Sequence, residues 1–179
     1  CNPKAQGSFT LIQIKRVFAE IKKVDTITSV SFEGGEPFLL YPLLLECVKM
    51  GHQQGLHTSI ETNAYWASSE EDALLWLKPF KDAGLDLINV SDDDFHYGEK
   101  TKTPAALTRS AADKLGLEHM SICIERPELA ENVDTSKGKP IYSGGAKLRG
   151  RAADKLIEGL ETFGPDGLDQ CPYENLKDP

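Results

Sequence analysis

Gly34-Gly35-Glu36-Pro37 is the sharpest chemical signal in the sequence. Two adjacent glycines let backbone approach a ligand that a Cβ would exclude. A glutamate carboxylate accepts charge-assisted bonds from an amino group, and a proline stiffens the exit from the turn. An ordinary tight turn has the same composition, so placement has to decide between the two. The segment follows the β-rich run Ile27–Phe32 and leads through Phe38-Leu39-Leu40 into a helical pattern, which sets it where a strand hands over to a helix.

Other polar groups recur at equivalent points. Glu61-Thr62-Asn63, Ser91-Asp92-Asp93-Asp94-Phe95-His96 and Glu125-Arg126 each end an apolar run, and Lys147, Arg149 and Arg151 follow the last one. Thr62 and Asn63 either hydrogen-bond a ligand or simply end a strand and cap a turn. Ser91 and Asp92 suit the hydroxyls of a ribose, a carboxylate being a good diol acceptor. Asp93, Asp94 and His96 are metal-ligating types, but adjacent aspartates point apart, which favours a polar loop. Glu125 at a strand end needs a partner if buried, which makes it a pocket-lining residue. Arg149 and Arg151 pair either with a ligand carboxylate or with surface acids. Cys47 and Cys123 read as small packing residues, and Trp66 and Trp76 as core or rim aromatics.

The elements that must position these groups alternate. Thr10 and Gln13 form a capping box, after which Ile14, Val17, Phe18 and Ile21 fall at helical spacing. Ile27–Phe32 is a strand, and Pro42 opens a helix that Gly55 can end. His57–Thr62 is the next strand. Ser68-Ser69-Glu70-Glu71 opens a helix that Pro79 should kink or stop. Leu85–Ser91 reads as a strand buried on both faces. Pro104 to Leu115 is a helix ended by Gly116, followed by strands at Met120–Glu125 and Ile141–Leu148 and a last helix carrying Leu156, Leu160 and Phe163. Strands and helices alternating in this way indicate parallel β/α units. In such folds the ligand site lies beyond the carboxyl ends of the strands, where the polar segments above collect. The first element is a helix, so a strand is expected in front of residue 1.

Composition sets limits. Of the 179 residues, 40% are hydrophobic and 27% charged, a globular balance that excludes wholesale disorder. The longest apolar runs, Phe38–Leu40 and Leu43–Leu45, fall far short of the ~18 residues of a membrane span. A net charge of −8 argues against a nucleic-acid-binding surface, which needs clustered Lys and Arg. The four cysteines, Cys1, Cys47, Cys123 and Cys171, contain no CxxC pair, and without a signal peptide the expected setting is a reducing cytoplasm.

Val30-Ser31-Phe32-Glu33-Gly34-Gly35-Glu36-Pro37-Phe38-Leu39-Leu40 resembles the strand-plus-GGEP signature of the radical S-adenosylmethionine superfamily. Thr62-Asn63, Ser91-Asp92 and Gly150-Arg151-Ala152 agree with that family in order, and the resemblance spans roughly residues 8 to 160. It implies a partial (β/α)6, TIM-like barrel over 1–164, with 165–179 starting a C-terminal extension. It also implies S-adenosylmethionine bound by Gly34, Gly35, Glu36, Thr62, Asn63, Ser91, Asp92, Glu125 and Arg151. A four-iron four-sulfur cluster would cleave that cofactor reductively to a 5′-deoxyadenosyl radical, fed by an electron donor such as flavodoxin or ferredoxin. The radical would act on a small-molecule or peptide substrate. The family holds its cluster with three cysteines, usually CxxxCxxC, and here only Cys1 stands in that region. Cys171 is either a ligand of an auxiliary cluster or a free thiol. The resemblance therefore implies a body whose first strand and cluster loop are missing, inert by itself, with Ile27–Phe32 as an uncovered edge prone to self-association. Two other readings compete: a metal-dependent hydrolase using the Asp92–His96 loop, and a non-catalytic nucleotide-binding module.

Overall fold

The structure is a computed structural model that describes residues 7–93, 95, 103–126 and 155–160. The chain divides into two compact units, Cys1–Cys123 and Ile124–Pro179, and the sheet with its helices belongs to the first. Helix α1 (Leu11–Ile21) starts where the capping box requires: the Thr10 hydroxyl accepts from the Gln13 backbone N–H, and the Gln13 side chain accepts from the Thr10 N–H. Strand β1 (Ser29–Phe32) follows, then a short 3-10 helix (Pro37–Leu40) that runs into α2 (Tyr41–Gln53). The remaining elements are β2 (His57–Thr62), α3 (Glu70–Asp82), β3 (Leu87–Ser91), α4 (Pro104–Leu115) and β4 (Glu118–Ile122).

The four strands form one sheet in the order β1-β2-β3-β4, every pair parallel. Sequential order means that each crossover steps the same way round. A doubly wound sheet reverses direction partway, whereas a β/α barrel does not. The fold is therefore α/β with the winding of a partial β/α barrel. Helices α1 to α4 pack on the face that carries Val30, Phe32, Ile60, Ile88 and Val90. The opposite face is polar: Ser31 and Ser59 share one row, and Glu61 and Asn89 share the next.

Three expectations need correction. Pro79 does not stop α3, which continues to Asp82. The carbonyl its missing N–H releases belongs to Leu75, on the exposed side of the helix, where water can satisfy it. Strand β4 begins at Glu118 rather than Met120, because Gly116 ends α4 in the left-handed region (φ 61°) and the chain enters the sheet at once, pairing Glu118 with Leu87. Strand β3 is fully buried only at Ile88 and Val90. Leu87, Asn89 and Ser91 are half-buried on the polar face, as the polar types at two of those positions require. The strand read at Ile141–Leu148 lies outside the described residues, and of the last helix only Lys155 and Leu156 are helical among the described residues, because Gly159 at φ 81° turns the chain before Leu160.

Candidate functional site

The GGEP turn leaves β1 at the carboxyl edge of the sheet. Gly34 adopts φ 153°, a conformation that side chains disfavour, and ideal Cβ atoms at Gly34 and Gly35 would meet nothing within 4 Å. The space over both glycines is open, so a ligand can lie against their backbone. Glu36 is the N-cap of the 3-10 helix, and its Oε1 accepts from the Phe38 backbone N–H at 3.1 Å. The same oxygen accepts from the Thr62 hydroxyl at 2.8 Å, while Oε2 accepts from the Asn63 backbone N–H at 2.8 Å. A carboxylate has about four acceptor positions. Among the described residues three are filled and one is left.

Beneath this turn lies an aromatic cluster. Phe38 is 1% exposed, with ring centroids 4.6 Å from Trp66 and 5.1 Å from Phe80. Trp66 stacks on Trp76 at 5.5 Å, so both tryptophans are core or rim aromatics as expected. The Tyr41 hydroxyl donates to the Trp76 carbonyl at 3.1 Å, and burial pushes the Tyr41 phenol above its ordinary range. The neighbouring turn is tightened by Ala64, a buried non-glycine residue at φ 55°, a conformation that costs about 1–2 kcal/mol. The Thr62 oxygen accepts from the Ala64 N–H at 3.0 Å, and Asn63 Oδ1 accepts from the Tyr65 N–H at 3.0 Å. These bonds hold the strained turn in place.

On the polar face of the sheet, Glu33 and Glu61 meet. Burial, then the Glu33 charge and a bond to Glu33, raise the proton affinity of the Glu61 carboxyl. Asn89 pairs with Glu61 in the sheet register, and its buried Oδ1 has no hydrogen-bond partner among the described residues. Both glutamates stood in strand-end segments visible in the sequence. Their pairing follows from parallel register, which residue type does not reveal.

Asp92, read as a ribose acceptor, forms an ion pair with Arg109 of α4, and Thr103 Oγ1 donates to its Oδ1 at 3.4 Å. Arg109 also donates to the Ser121 hydroxyl at 3.1 Å, tying α4 to the ends of β3 and β4. Arg109 was not anticipated; the available signal was a lone guanidinium among the alanines of its helix. Ser91 is half-buried on the polar face, Asp93 is buried and Phe95 is exposed. Glu125, expected to line a pocket, is exposed and belongs to the second compact unit. Cys1, Asp94, His96, Lys147, Arg149, Arg151 and Cys171 lie outside the described residues.

Cys47 packs as expected, buried between α1 and α2, and its thiol is pushed up to about 11 by burial and then by Glu46. Cys123, read as a packing residue, is exposed just past the end of β4 at Ile122. Among the described residues no three His, Cys, Asp or Glu side chains are grouped to hold a metal ion, and no helix is long and apolar enough to cross a membrane.

A trench of about 760 Å³ runs beside the open edge of β1. One wall is the apolar face of α1, with Ile14, Val17 and Ile21, and the other is the segment from Val30 to Pro37. Val17, one of the four residues at helical spacing, is exposed along this wall. Glu36 thus sits where the trench meets the carboxyl ends of the strands.

Fold and site together define an α/β protein with barrel-type winding and an anchored carboxylate beside two glycines at the carboxyl edge of the sheet. No family model matches the chain. Over 106 residues it is 26% identical to YydG of Bacillus subtilis (strain 168), a protein named for peptide biosynthesis; the match covers 59% of this chain and 31% of that protein. The matched part of the chain therefore spans less than a third of the curated relative's length.

Proposed function

We propose that the chain forms the S-adenosylmethionine-binding body of a radical S-adenosylmethionine enzyme whose complete form acts on a peptide. One observation carries the reading: Glu36 is fixed by Thr62, Asn63 and Phe38 with one acceptor position unfilled among the described residues, beside two glycines whose added Cβ atoms would meet nothing within 4 Å. A primary ammonium fits that arrangement, because the remaining position is anionic and the surrounding backbone offers close approach. The Asn63 side-chain amide and the Ser91 hydroxyl supply further polar groups along the same edge. The peptide substrate is proposed from the likeness to a relative named for peptide biosynthesis, and an electron donor such as flavodoxin or ferredoxin belongs to the same proposal. The described residues offer no ligand set for an iron–sulfur cluster. This chain's own part is to bind and orient the nucleoside and to exclude water around it. Of the loop on which the hydrolase reading rests, Asp92 is paired with Arg109, and Asp94 and His96 lie outside the described residues.

Titration calorimetry of the 179-residue chain tests the proposal. S-adenosylmethionine should bind, and Glu36→Gln should weaken it about tenfold or more, the scale of one bond to a charged group. Binding of 5′-methylthioadenosine, which lacks the amino acid portion, should be unchanged in the variant. A wild-type chain that ignores S-adenosylmethionine, or a variant that binds it equally well, overturns the reading.

A further inference from the structure

We propose that Thr62 and Trp66 are positioning residues that select which Glu36 oxygen faces the ligand. The inference rests on the reading above for the identity of the ligand, but its argument is geometric. A hydroxyl has one donor and two acceptor positions. Thr62 Oγ1 lies within bonding distance of three groups: the Ala64 N–H at 3.0 Å, the Trp66 Nε1–H at 3.3 Å and Glu36 Oε1 at 2.8 Å. The first two can only donate, so they fill both acceptor positions on the oxygen. The Thr62 proton then has one direction left, toward Glu36.

The chain of bonds therefore runs one way, from the Trp66 indole through the Thr62 hydroxyl to Glu36 Oε1. Its source is rigid, since Trp66 is 4% exposed and packed between Phe38 and Trp76. Oε1 accepts from both Thr62 and the Phe38 N–H and is filled. Among the described residues Oε2 accepts only from the Asn63 N–H, and it presents the remaining acceptor position. Thr62, 3% exposed and fully bonded, does not itself touch ligand. It holds the carboxylate so that Oε2 meets an ammonium group without a rotational search, which lowers the ordering cost of binding.

Two measurements on the 179-residue chain test this, using Thr62→Val, which keeps the shape, Thr62→Ser, which keeps the hydroxyl, and Trp66→Phe, which keeps an aromatic ring without the N–H. In calorimetry, Thr62→Val should weaken S-adenosylmethionine about tenfold and leave 5′-methylthioadenosine unchanged. Thr62→Ser should restore wild-type affinity, and Trp66→Phe should fall between. In amide hydrogen exchange without ligand, Thr62→Val should speed exchange of the Asn63 N–H about tenfold while the Ile60 and Ile88 N–H groups keep their protection. A merely structural role would raise exchange at all three and weaken both nucleosides together, which overturns the proposal. Equal protection of Asn63 in wild type and Thr62→Val overturns it as well. If wild type binds no S-adenosylmethionine, the functional reading fails by itself, and the exchange result still decides whether Thr62 holds Glu36.

Discussion

Gly51→Ala should destabilise this protein even though alanine is the better helix former. Gly51 lies in the last turn of α2, where that helix rests on β2. A Cβ there would stand 2.6 Å from Thr58 Cγ2, 3.4 Å from Val30 Cγ1 and 3.8 Å from Phe18 Cε1. Carbon atoms pack best at about 3.5–4.0 Å, so the helix or the threonine must yield by roughly 1 Å. Thr58 is fully buried, its N–H donates to Asp86 Oδ2 at 2.7 Å, and its hydroxyl lies 3.2 Å from the Gly84 carbonyl and 3.1 Å from Asp86 Oδ2. Rotating the methyl away would break the hydroxyl's bonds, and lifting α2 would open the core.

The helix preference for alanine favours the variant by about 1 kcal/mol, whereas overpacking a rigid contact costs about 1–3 kcal/mol and losing a buried hydroxyl bond about 1 kcal/mol. The clash wins, for a net loss of about 1–3 kcal/mol. Urea unfolding followed by tryptophan fluorescence should show the midpoint falling by about 0.5–1.5 M at a typical slope for a small domain. Thr58→Ser keeps the hydroxyl and deletes the obstructing methyl, so Gly51→Ala made in that background should cost little or nothing. An alanine variant as stable as wild type, or a loss of the same size when Gly51→Ala is combined with Thr58→Ser, refutes the reasoning.

Glu61 and Cys47 give two further tests. Burial and Glu33 raise the folded-state pKa of Glu61, so its favourable contribution is present below the ordinary carboxylate value, about 4.3, and is lost as pH rises through the raised value. Glu61→Gln should therefore flatten the fall in stability across that window and match or exceed wild type at neutral pH, by less than about 1 kcal/mol for a screened pair; parallel pH–stability curves for the two proteins would show that the pair does not interact. The Cys47 thiol, buried and pushed up to about 11, should resist alkylation at pH 8 until the chain unfolds, because the thiolate is the nucleophile. Peptide mapping that finds Cys47 labelled as fast as the exposed Cys123 would contradict that placement.

Local patterns carried the helices well. Thr10 and Gln13 announce α1 because a capping box is satisfied within four residues, and Gly116 marks the end of α4 because the left-handed turn there favours glycine. The parallel, barrel-type arrangement was legible from alternation of elements, since parallel neighbours require crossovers. Pro79 misleads because the cost of a proline depends on whether the released carbonyl reaches water, which is a property of the helix face rather than of the residue. The carboxyl-edge residues divide along the same line. Glu36 was visible from GGEP, but residue type cannot tell a threonine that binds ligand from one that anchors the carboxylate. Asp92 looked free for a ribose because Arg109, 17 residues onward, reaches it only once α4 packs against the sheet.

The chemistry at the end of β2 is therefore decided at its beginning. Side chains alternate along a strand, so Glu61 faces the polar side with Glu33 while Thr62 faces the helix side with Glu36. A slip of one residue would exchange them, placing a carboxylate in the aromatic core and a hydroxyl on the open face. Thr58, bonded through its backbone to Asp86 as the chain enters the sheet, pins the phase four residues before it matters. Gly51 lets α2 press on that same threonine, and α2 is continuous with the 3-10 helix that Glu36 caps. Register and helix seating are thus set at one buried contact, and the orientation of the Glu36 carboxylate follows from both.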